Sequence, residues 1–446
     1  MTTGLLTDRY ELTMACSWLA EGRAQTPAVF EAFARRLPEG RQYGVVAGTG
    51  RLIEQLAGFR FDAEEVTWLS QAGVITPECA DWLRDFRFTG DINGYREGDL
   101  YFPGSPVLTV CGELAQCAVL ETLVLSVLNH DCAIAAAASR MADAAAGRSL
   151  IEMGSRRTHE QAAVAAARAA YLAGFEATSN LAAGRQFAVP TTGTAAHAFT
   201  LSHASEREAF AAQVKALGTS TTLLVDTYDI TAGIAAAVEV AGPRLGGIRI
   251  DSGDPALTSR AARAQLDALG ATGTRIVITG DLDEYLMTAL ADAPIDAYGV
   301  GSRLVAGSGH PSAGMVYKLV AVGEAGHPGA PLRPVAKTAA GKASAGGRKS
   351  AYRELDSAGH ITRERLTPHP GGLGSHSPGP YEPGGLGAAF ASAAGRPLQI
   401  PYLAQGRLVA DLSLEAARAF HQRAKDELPA QARTVAQGQP FTSASF

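Results

Sequence analysis

The stretch Gly247-Ile-Arg-Ile-Asp-Ser-Gly-Asp254 decides how this chain is read. Ile248 and Ile250 alternate with Arg249 and Asp251, so a strand here sends its charged side chains to one face and its apolar ones to the other. Pro255 follows, a residue suited to the first turn of a helix because it has no N–H to satisfy, and Asp254 stands where a cap belongs. A strand that passes through a Ser-Gly turn into a capped helix is half of a βα unit. The charged face has two meanings. Buried charges need partners, so Arg249 and Asp251 either form an internal ion pair that pins the sheet or mark a site where free backbone N–H groups of the turn and of the capped helix after it meet an anion.

Outward from this turn the pattern repeats. Short apolar runs at 149–153, 175–179, 222–225, 275–279, 296–300 and 315–322 read as strands, with helical spacing at 160–172, 207–217, 230–240, 255–269 and 283–292. Repeated βα units predict a parallel sheet, and this many in series predict an irregular α/β barrel. Reactive groups in such barrels come from the carboxyl ends of the strands. Polar clusters fall there: Gly154-Ser-Arg-Arg157, Thr178-Ser-Asn180, Gly193-Thr-Ala-Ala-His197, Asp226-Thr-Tyr-Asp229, Gly280-Asp281 and Gly299-Val-Gly-Ser-Arg303. Small residues at the last two strand ends let backbone amides approach a phosphate closely. Arg156 and Arg157 are either a solvated pair or a fork for a carboxylate. His130, His159 and His203 read as structural, and by its own pattern His197 does too.

The first hundred residues mix β-type runs (26–33, 90–95, 107–111) with helices (8–19, 51–57), an α+β arrangement. After residue 322 come a Gly/Ala/Lys-rich stretch to 349 and a Pro/Gly-rich one over 367–387, both loop-like, before a helical run at 412–426. The expected division is an N-terminal α/β (α+β) sandwich over 1–125, the barrel over 126–325, and a loop-rich segment over 326–446 packing back on the first domain. Among 446 residues, 39 basic and 44 acidic ones give a net charge of -5, without the basic surplus that nucleic acid or an anionic membrane requires. Five scattered cysteines without a C-x-x-C pair fit neither a disulfide framework nor a zinc site. Asp8, Arg9 and Glu11 interrupt any export signal, and Glu121, Asp131, Arg140 and Asp143 interrupt the apolar stretch 117–146, so a cytoplasmic protein without a membrane span is expected.

Taken in order, these clusters resemble the nicotinate phosphoribosyltransferase family from the first residues to about residue 355. The carrying segments are Leu6-Thr-Asp-Arg-Tyr-Glu-Leu-Thr-Met14, Met153-Gly-Ser-Arg-Arg157, Thr178-Ser-Asn180, Gly193-Thr-Ala-Ala-His197, Asp226-Thr-Tyr-Asp-Ile230, the opening stretch, Gly280-Asp281, Tyr298-Gly-Val-Gly-Ser-Arg303 and Val316-Tyr-Lys318. The resemblance implies an irregular α/β barrel joined to an N-terminal sandwich, in a homodimer whose active sites the other chain completes. It implies the first step of NAD synthesis from nicotinate: nicotinate and phosphoribosyl pyrophosphate give nicotinate mononucleotide and pyrophosphate, coupled to ATP hydrolysis, with magnesium as cofactor.

Roles follow from the same resemblance. Asp251 and Asp226 hold the sugar and magnesium near developing charge, and Arg249 binds pyrophosphate or phosphate. Gly280, Asp281, Gly301 and Ser302 hold the 5′-phosphate and ribose. His197 matches the histidine that relatives phosphorylate with ATP. Arg156 meets the base, with Tyr10 of the other subunit stacking on the pyridine ring. Ser179 lies where amide-using relatives carry an acid, and a neutral hydroxyl favours the carboxylate of nicotinate. Asp8 is a further candidate contributed in trans. Lys342 and Lys349 resemble a lysine-bearing loop that reaches a phosphate across the dimer, against the plainer reading of a solvated basic loop. Two departures stand out: Met153 where relatives place an aromatic residue, and Ala345 where they carry a proline. The rival readings are a nicotinamide or quinolinate phosphoribosyltransferase on the same scaffold and a non-catalytic phosphosugar-binding barrel. A Schiff-base aldolase has no nucleophile, because the only lysine between Met153 and Tyr317 is Lys215, on a helix.

Overall fold

The computed structural model describes residues 2–327, 331–337, 345–369, 395–435 and 438–446. The chain divides into two compact units, one from Met1–Ala133 with Ser312–Ala432 and the chain end, the other from Ile134–Pro311 with Arg433–Val435.

The second unit holds six strands: β1 (Ser149–Glu152), β2 (Ala177–Thr178), β3 (Thr222–Leu224), β4 (Gly247–Ile250), β5 (Arg275–Thr279) and β6 (Ala297–Val300). All pair in parallel, in the order β2-β1-β6-β5-β4-β3. Sequence neighbours are spatial neighbours except at β2 and β3, while β6 returns to pair with β1 through Ala297 and Ser149. The sheet is therefore a curled half-barrel, open between β2 and β3. A loop occupies the β2 side of that opening. Thr191 bridges in parallel to Thr178, the Thr178 N–H donates to Pro190 O at 2.9 Å, and the Thr192 N–H donates to Thr178 O at 3.0 Å. Leu150, Leu223, Ile248, Ile250, Ile276, Ile278, Tyr298 and Val300 are buried, the composition of a sheet covered on both faces. Side chains of Asn180, Ser205, Asp229, Asp254 and Asp283 each accept a backbone N–H at a helix start. Four of these caps closely follow strands, so the caps gather polar turns at the carboxyl rim.

In the first unit a seven-stranded antiparallel sheet runs Arg333–Pro334, Met315–Val322, Pro27–Ala34, Leu108–Glu113, Asp91–Tyr95, Gln399–Ala404, Arg407–Leu408. Beside its helices lies an aromatic cluster, Phe59, Phe61 and Phe86, packed edge to face at 5.7–6.0 Å between centroids. The sequence reading placed 315–322 at the end of the βα series. It belongs instead to this antiparallel sheet, with Tyr317 opposite Ala32 and Val316 opposite Phe33. Its length and alternation explain why. Eight residues with Tyr317 buried and Lys318 half-exposed and paired with Glu121 at 3.6 Å suit a sheet with one wetter face, not a short strand buried on both. The C-terminal segment is less loop-like than its composition: Lys349–Leu355 and Ile361–Pro368 form an antiparallel pair, and Leu414–Asp426 is a helix. Most of 367–387 lies outside the described residues.

The helical stretch Leu114–Ala145 passes the length and hydropathy test for a membrane span, but 67% of its most apolar window is buried inside the chain. Along it the buried Arg140 pairs with Glu284 at 3.2 Å, as in a core helix. All five cysteines are free.

Candidate active site

Arg249, one residue from the end of β4, ties three chain segments together. Its Nε donates to Thr279 Oγ1 at 2.9 Å, Nη1 to Thr194 Oγ1 at 3.0 Å, and Nη2 to Asp251 Oδ1 at 3.1 Å. Thr279, the last residue of β5, also donates to Asp251 Oδ1. Burial pushes the Asp251 carboxyl up, but the Thr279 hydroxyl and the Arg249 guanidinium together outweigh it and hold the group below its ordinary range. Asp251 is an anion at neutral pH. The alternation read in the sequence thus yields an ion pair, and the pair faces other polar groups.

Asp226 follows β3, its side chain buried. Oδ2 accepts from the Asp251 N–H and the Ser252 hydroxyl, both at 2.8 Å. Oδ1 is buried and has no hydrogen-bond partner among the described residues. His197 faces it, with Nε2 at 4.0 Å, while His197 Nδ1 stands 3.3 Å from Thr227 Oγ1. Strand ends and the His197 loop therefore bring Arg249, Asp251, Asp226 and His197 into one cluster. Two carboxylates, one with an unpaired buried oxygen, suit the way magnesium is held, by one or two carboxylates with phosphate oxygens and water completing its shell. Among the described residues no three His, Cys, Asp or Glu side chains converge on an all-protein metal site.

One expectation for the opening stretch changes. The helix Pro255–Ala268 was read as offering free N–H groups to an anion, but the Asp254 carboxylate already accepts from Ala256 and Leu257 at 2.9 and 3.0 Å. The cap that starts the helix uses its donors. Small residues remain at the neighbouring rim. Gly280 has φ +101°, where an added Cβ would meet Asp251 O at 3.0 Å, and Asp281 follows with φ +35°. Gly299 allows close packing: its Cβ would stand 2.5 Å from Thr279 Cγ2 and 2.7 Å from Met153 Sδ. Met153 therefore lies against β6. Gly301 and Ser302 sit where β6 turns into the four-residue helix Ser302–Val305.

On the β1–β2 side, Arg156 and Ser179 are both exposed at their strand ends. Asn180 donates from Nδ2 to Ser155 Oγ at 3.0 Å and caps the helix Leu181–Phe187. Of the remaining candidates, Asp8 and Tyr10 lie at the start of the helix Arg9–Ala20 in the first unit, exposed, with the Tyr10 phenol pushed up by burial and then by Glu121. Lys349 is no solvent-facing phosphate contact: it is buried on a strand of the first unit, with Nζ 2.6 Å from Glu31 Oε2. Lys342 lies outside the described residues. His130, His159 and His203 make local contacts, with Asp131 at 2.8 Å, the Gln161 N–H at 3.3 Å and Phe199 O at 2.8 Å.

Several groups at this rim escape a sequence reading. Thr194, Thr227, Ser252 and Thr279 are hydroxyls with no signal of their own. Glu206 opens the helix Glu206–Leu217, its Oε1 buried and unpaired among the described residues and its carboxyl pushed up chiefly by burial. Glu152 ends β1, wholly buried, and burial raises its carboxyl despite bonds from Thr178 and Gly154. An acid closing an apolar run just before a Gly-Ser-Arg-Arg turn is the signal for it.

Residues 5–129 match the nicotinate phosphoribosyltransferase N-terminal domain. The chain is 56% identical to nicotinate phosphoribosyltransferase pncB1 of Mycobacterium tuberculosis over 445 residues, 98% of this chain and 94% of that protein. It is 36% identical to nicotinate phosphoribosyltransferase of Bacillus subtilis over 365 residues, covering 80% and 74%. The crystal structure of human nicotinic acid phosphoribosyltransferase superposes with a TM-score of 0.79 at 27% identity, covering 98% of this chain and 97% of that one. With its barrel rim and near-full-length identity to these relatives, the chain belongs to the nicotinate phosphoribosyltransferase family.

Proposed function

We propose that this enzyme transfers the phosphoribosyl group of phosphoribosyl pyrophosphate to nicotinate and couples the transfer to ATP hydrolysis through a phosphohistidine at His197, in a homodimer. One observation carries the reading. Arg249, Asp251, Asp226 and His197 converge on adjacent strand ends, and the buried Asp226 Oδ1 has no hydrogen-bond partner among the described residues.

Transfer breaks the bond from ribose C1′ to pyrophosphate and forms the bond to the pyridine nitrogen. Positive charge grows on the ribose ring as pyrophosphate departs, and the ionised Asp251 stabilises it. Arg249, oriented by Thr194 and Thr279, holds the leaving group. Asp226 and Asp251 would hold magnesium, which when bound would neutralise charge on pyrophosphate. Gly280, Asp281, Gly301 and Ser302 receive the 5′-phosphate and ribose. Arg156 pairs with the carboxylate of nicotinate, Ser179 leaves that carboxylate unrepelled, and Tyr10 of the other subunit covers the ring.

In the coupling step His197 Nδ1–H donates to Thr227, leaving the Nε2 lone pair for the γ-phosphorus of ATP. The N–P bond forms, the P–O bond to ADP breaks, and hydrolysis of the phosphoimidazole later returns phosphate and the free ring. The test supplies nicotinate, phosphoribosyl pyrophosphate and magnesium with and without ATP, following nucleotide and phosphate together. Nucleotide with matched phosphate release is the expected result. Nicotinamide outcompeting nicotinate at equal concentration overturns the substrate, and no turnover with any base leaves a binding protein.

A further inference from the structure

Glu152 has no part in the steps above, yet it ends β1 beside them and is hydrogen-bonded on both carboxyl oxygens. It is wholly buried, and no cation pairs with it among the described residues. A buried carboxylate left without a counter-charge is costly unless donors surround it. Its donors come from two separate turns. Oε1 accepts from the Gly154 N–H and Oε2 from the Thr178 hydroxyl. The Glu152 carbonyl accepts from the Ser179 N–H at 2.8 Å. Thr178 Oγ1 in turn accepts from the Asn180 N–H at 2.9 Å, and Asn180 donates back to Ser155 at 3.0 Å.

The outcome is a closed ring of hydrogen bonds between the end of β1 and the end of β2. On one side it fixes Gly154 and Ser155, which lead directly into Arg156. On the other it fixes Thr178, which leads directly into Ser179. Ser179 meets Glu152 through its backbone N–H on the Glu152 carbonyl, and both Arg156 and Ser179 are exposed. The carboxylate sets the spacing and orientation of the two turns that carry them.

We propose that Glu152 is a positioning residue for base recognition: it clamps the Arg156 turn and the Ser179 turn in one register, and affinity for a pyridine carboxylate depends on that clamp. The proposal rests on the reading that Arg156 and Ser179 receive nicotinate. A carboxyl group can accept on both oxygens, whereas the amide of Glu152→Gln accepts on one and donates from the other, so the substitution keeps the volume and either strips the Gly154 N–H of its acceptor or reverses the bond at Thr178, whose hydroxyl must then accept.

The experiment compares the full chain with Glu152→Gln, Thr178→Val and Arg156→Ala, measuring KM for nicotinate, KM for phosphoribosyl pyrophosphate, kcat and Tm. With a buried acceptor lost, Glu152→Gln raises KM for nicotinate on the order of tenfold. KM for phosphoribosyl pyrophosphate and kcat stay unchanged, and Thr178→Val moves KM for nicotinate in the same direction. An unchanged nicotinate KM in folded Glu152→Gln overturns the proposal, as does a parallel fall of every parameter with Tm. If Glu152→Gln does not fold, Thr178→Val decides by the same criterion. Arg156→Ala separates the layers: a raised nicotinate KM there with none in Glu152→Gln removes only the clamp, while no effect in Arg156→Ala removes the base-site reading beneath it.

Discussion

The molecule buries charge in two places and treats it differently. In the first unit Arg353, wholly buried, pairs with Glu364 at 2.9 Å and lies 3.5 Å from Asp99 and 3.9 Å from Glu427, while Arg396 bonds Asp99 and Glu427 from the other side. Tyr95 and Ser105 add donors to Glu364. Opposite charges there meet within the protein. At the rim of the parallel sheet, among the described residues, Asp226 keeps an unpaired buried oxygen and Glu152 bonds Thr178 and Gly154 with no cation beside it. Buried carboxylates that meet arginines hold a fold together, even with Arg353 Nε and Nη1 and Arg396 Nε left without hydrogen-bond partners among the described residues, whereas carboxylates without such a counter-charge mark where something else binds.

This contrast can be broken by experiment. Arg353→Met leaves Glu364 and Asp99 buried without their shared cation and is expected to lower unfolding free energy by about 3–5 kcal/mol, read by denaturant titration. A variant as stable as the parent removes the network from its structural role. Asp251→Asn is expected to leave stability nearly intact while removing about 2–4 kcal/mol of transition-state stabilisation, seen in kcat/KM. Near-normal kcat/KM returns the Arg249–Asp251 pair to a purely structural one. His197→Ala is expected to abolish nicotinate-dependent ATP hydrolysis and leave slow, uncoupled nucleotide formation. Retained stoichiometric coupling excludes His197 as the phosphorylated group.

The smallest effect is a slope. His421, buried and donating from Nδ1 to Gly98 O at 2.8 Å, is pushed down to about 3 by burial and then by Lys425. An unfolded histidine titrates at about 6.5, so between these values the unfolded chain binds the extra proton and stability falls as pH falls. Above about 6.5 the contribution is fully present. His421→Gln is expected to flatten the acid limb of stability against pH, and an unchanged limb excludes His421 as its source.

Much of the rim was legible because strand ends in a βα series announce themselves. Arg249 and Asp251 alternate with isoleucines, and Asp226 and His197 sit just past apolar or small-residue runs. What stayed hidden has physical causes. Met315–Val322 has the apolar content of a barrel strand, and only its pairing with Pro27–Ala34 removes it from the series. Lys349 looks like a loop cation until Glu31, 318 residues away in sequence, is found against it. Asp254 reads as a cap, but that it uses the donors offered to an anion emerges only from its distances to Ala256 and Leu257.

By itself, then, the sequence determined the βα rhythm, the polar strand ends and the family, because side-chain periodicity and turn chemistry are local and survive in one dimension. Tertiary structure decided the rest: that β6 pairs with β1, that the barrel opens between β2 and β3, and that Glu152 joins two turns while Asp226 keeps an oxygen unpaired among the described residues. Those outcomes depend on which groups meet across long stretches of chain, and a buried polar group is satisfied or left waiting only once its neighbours are in place.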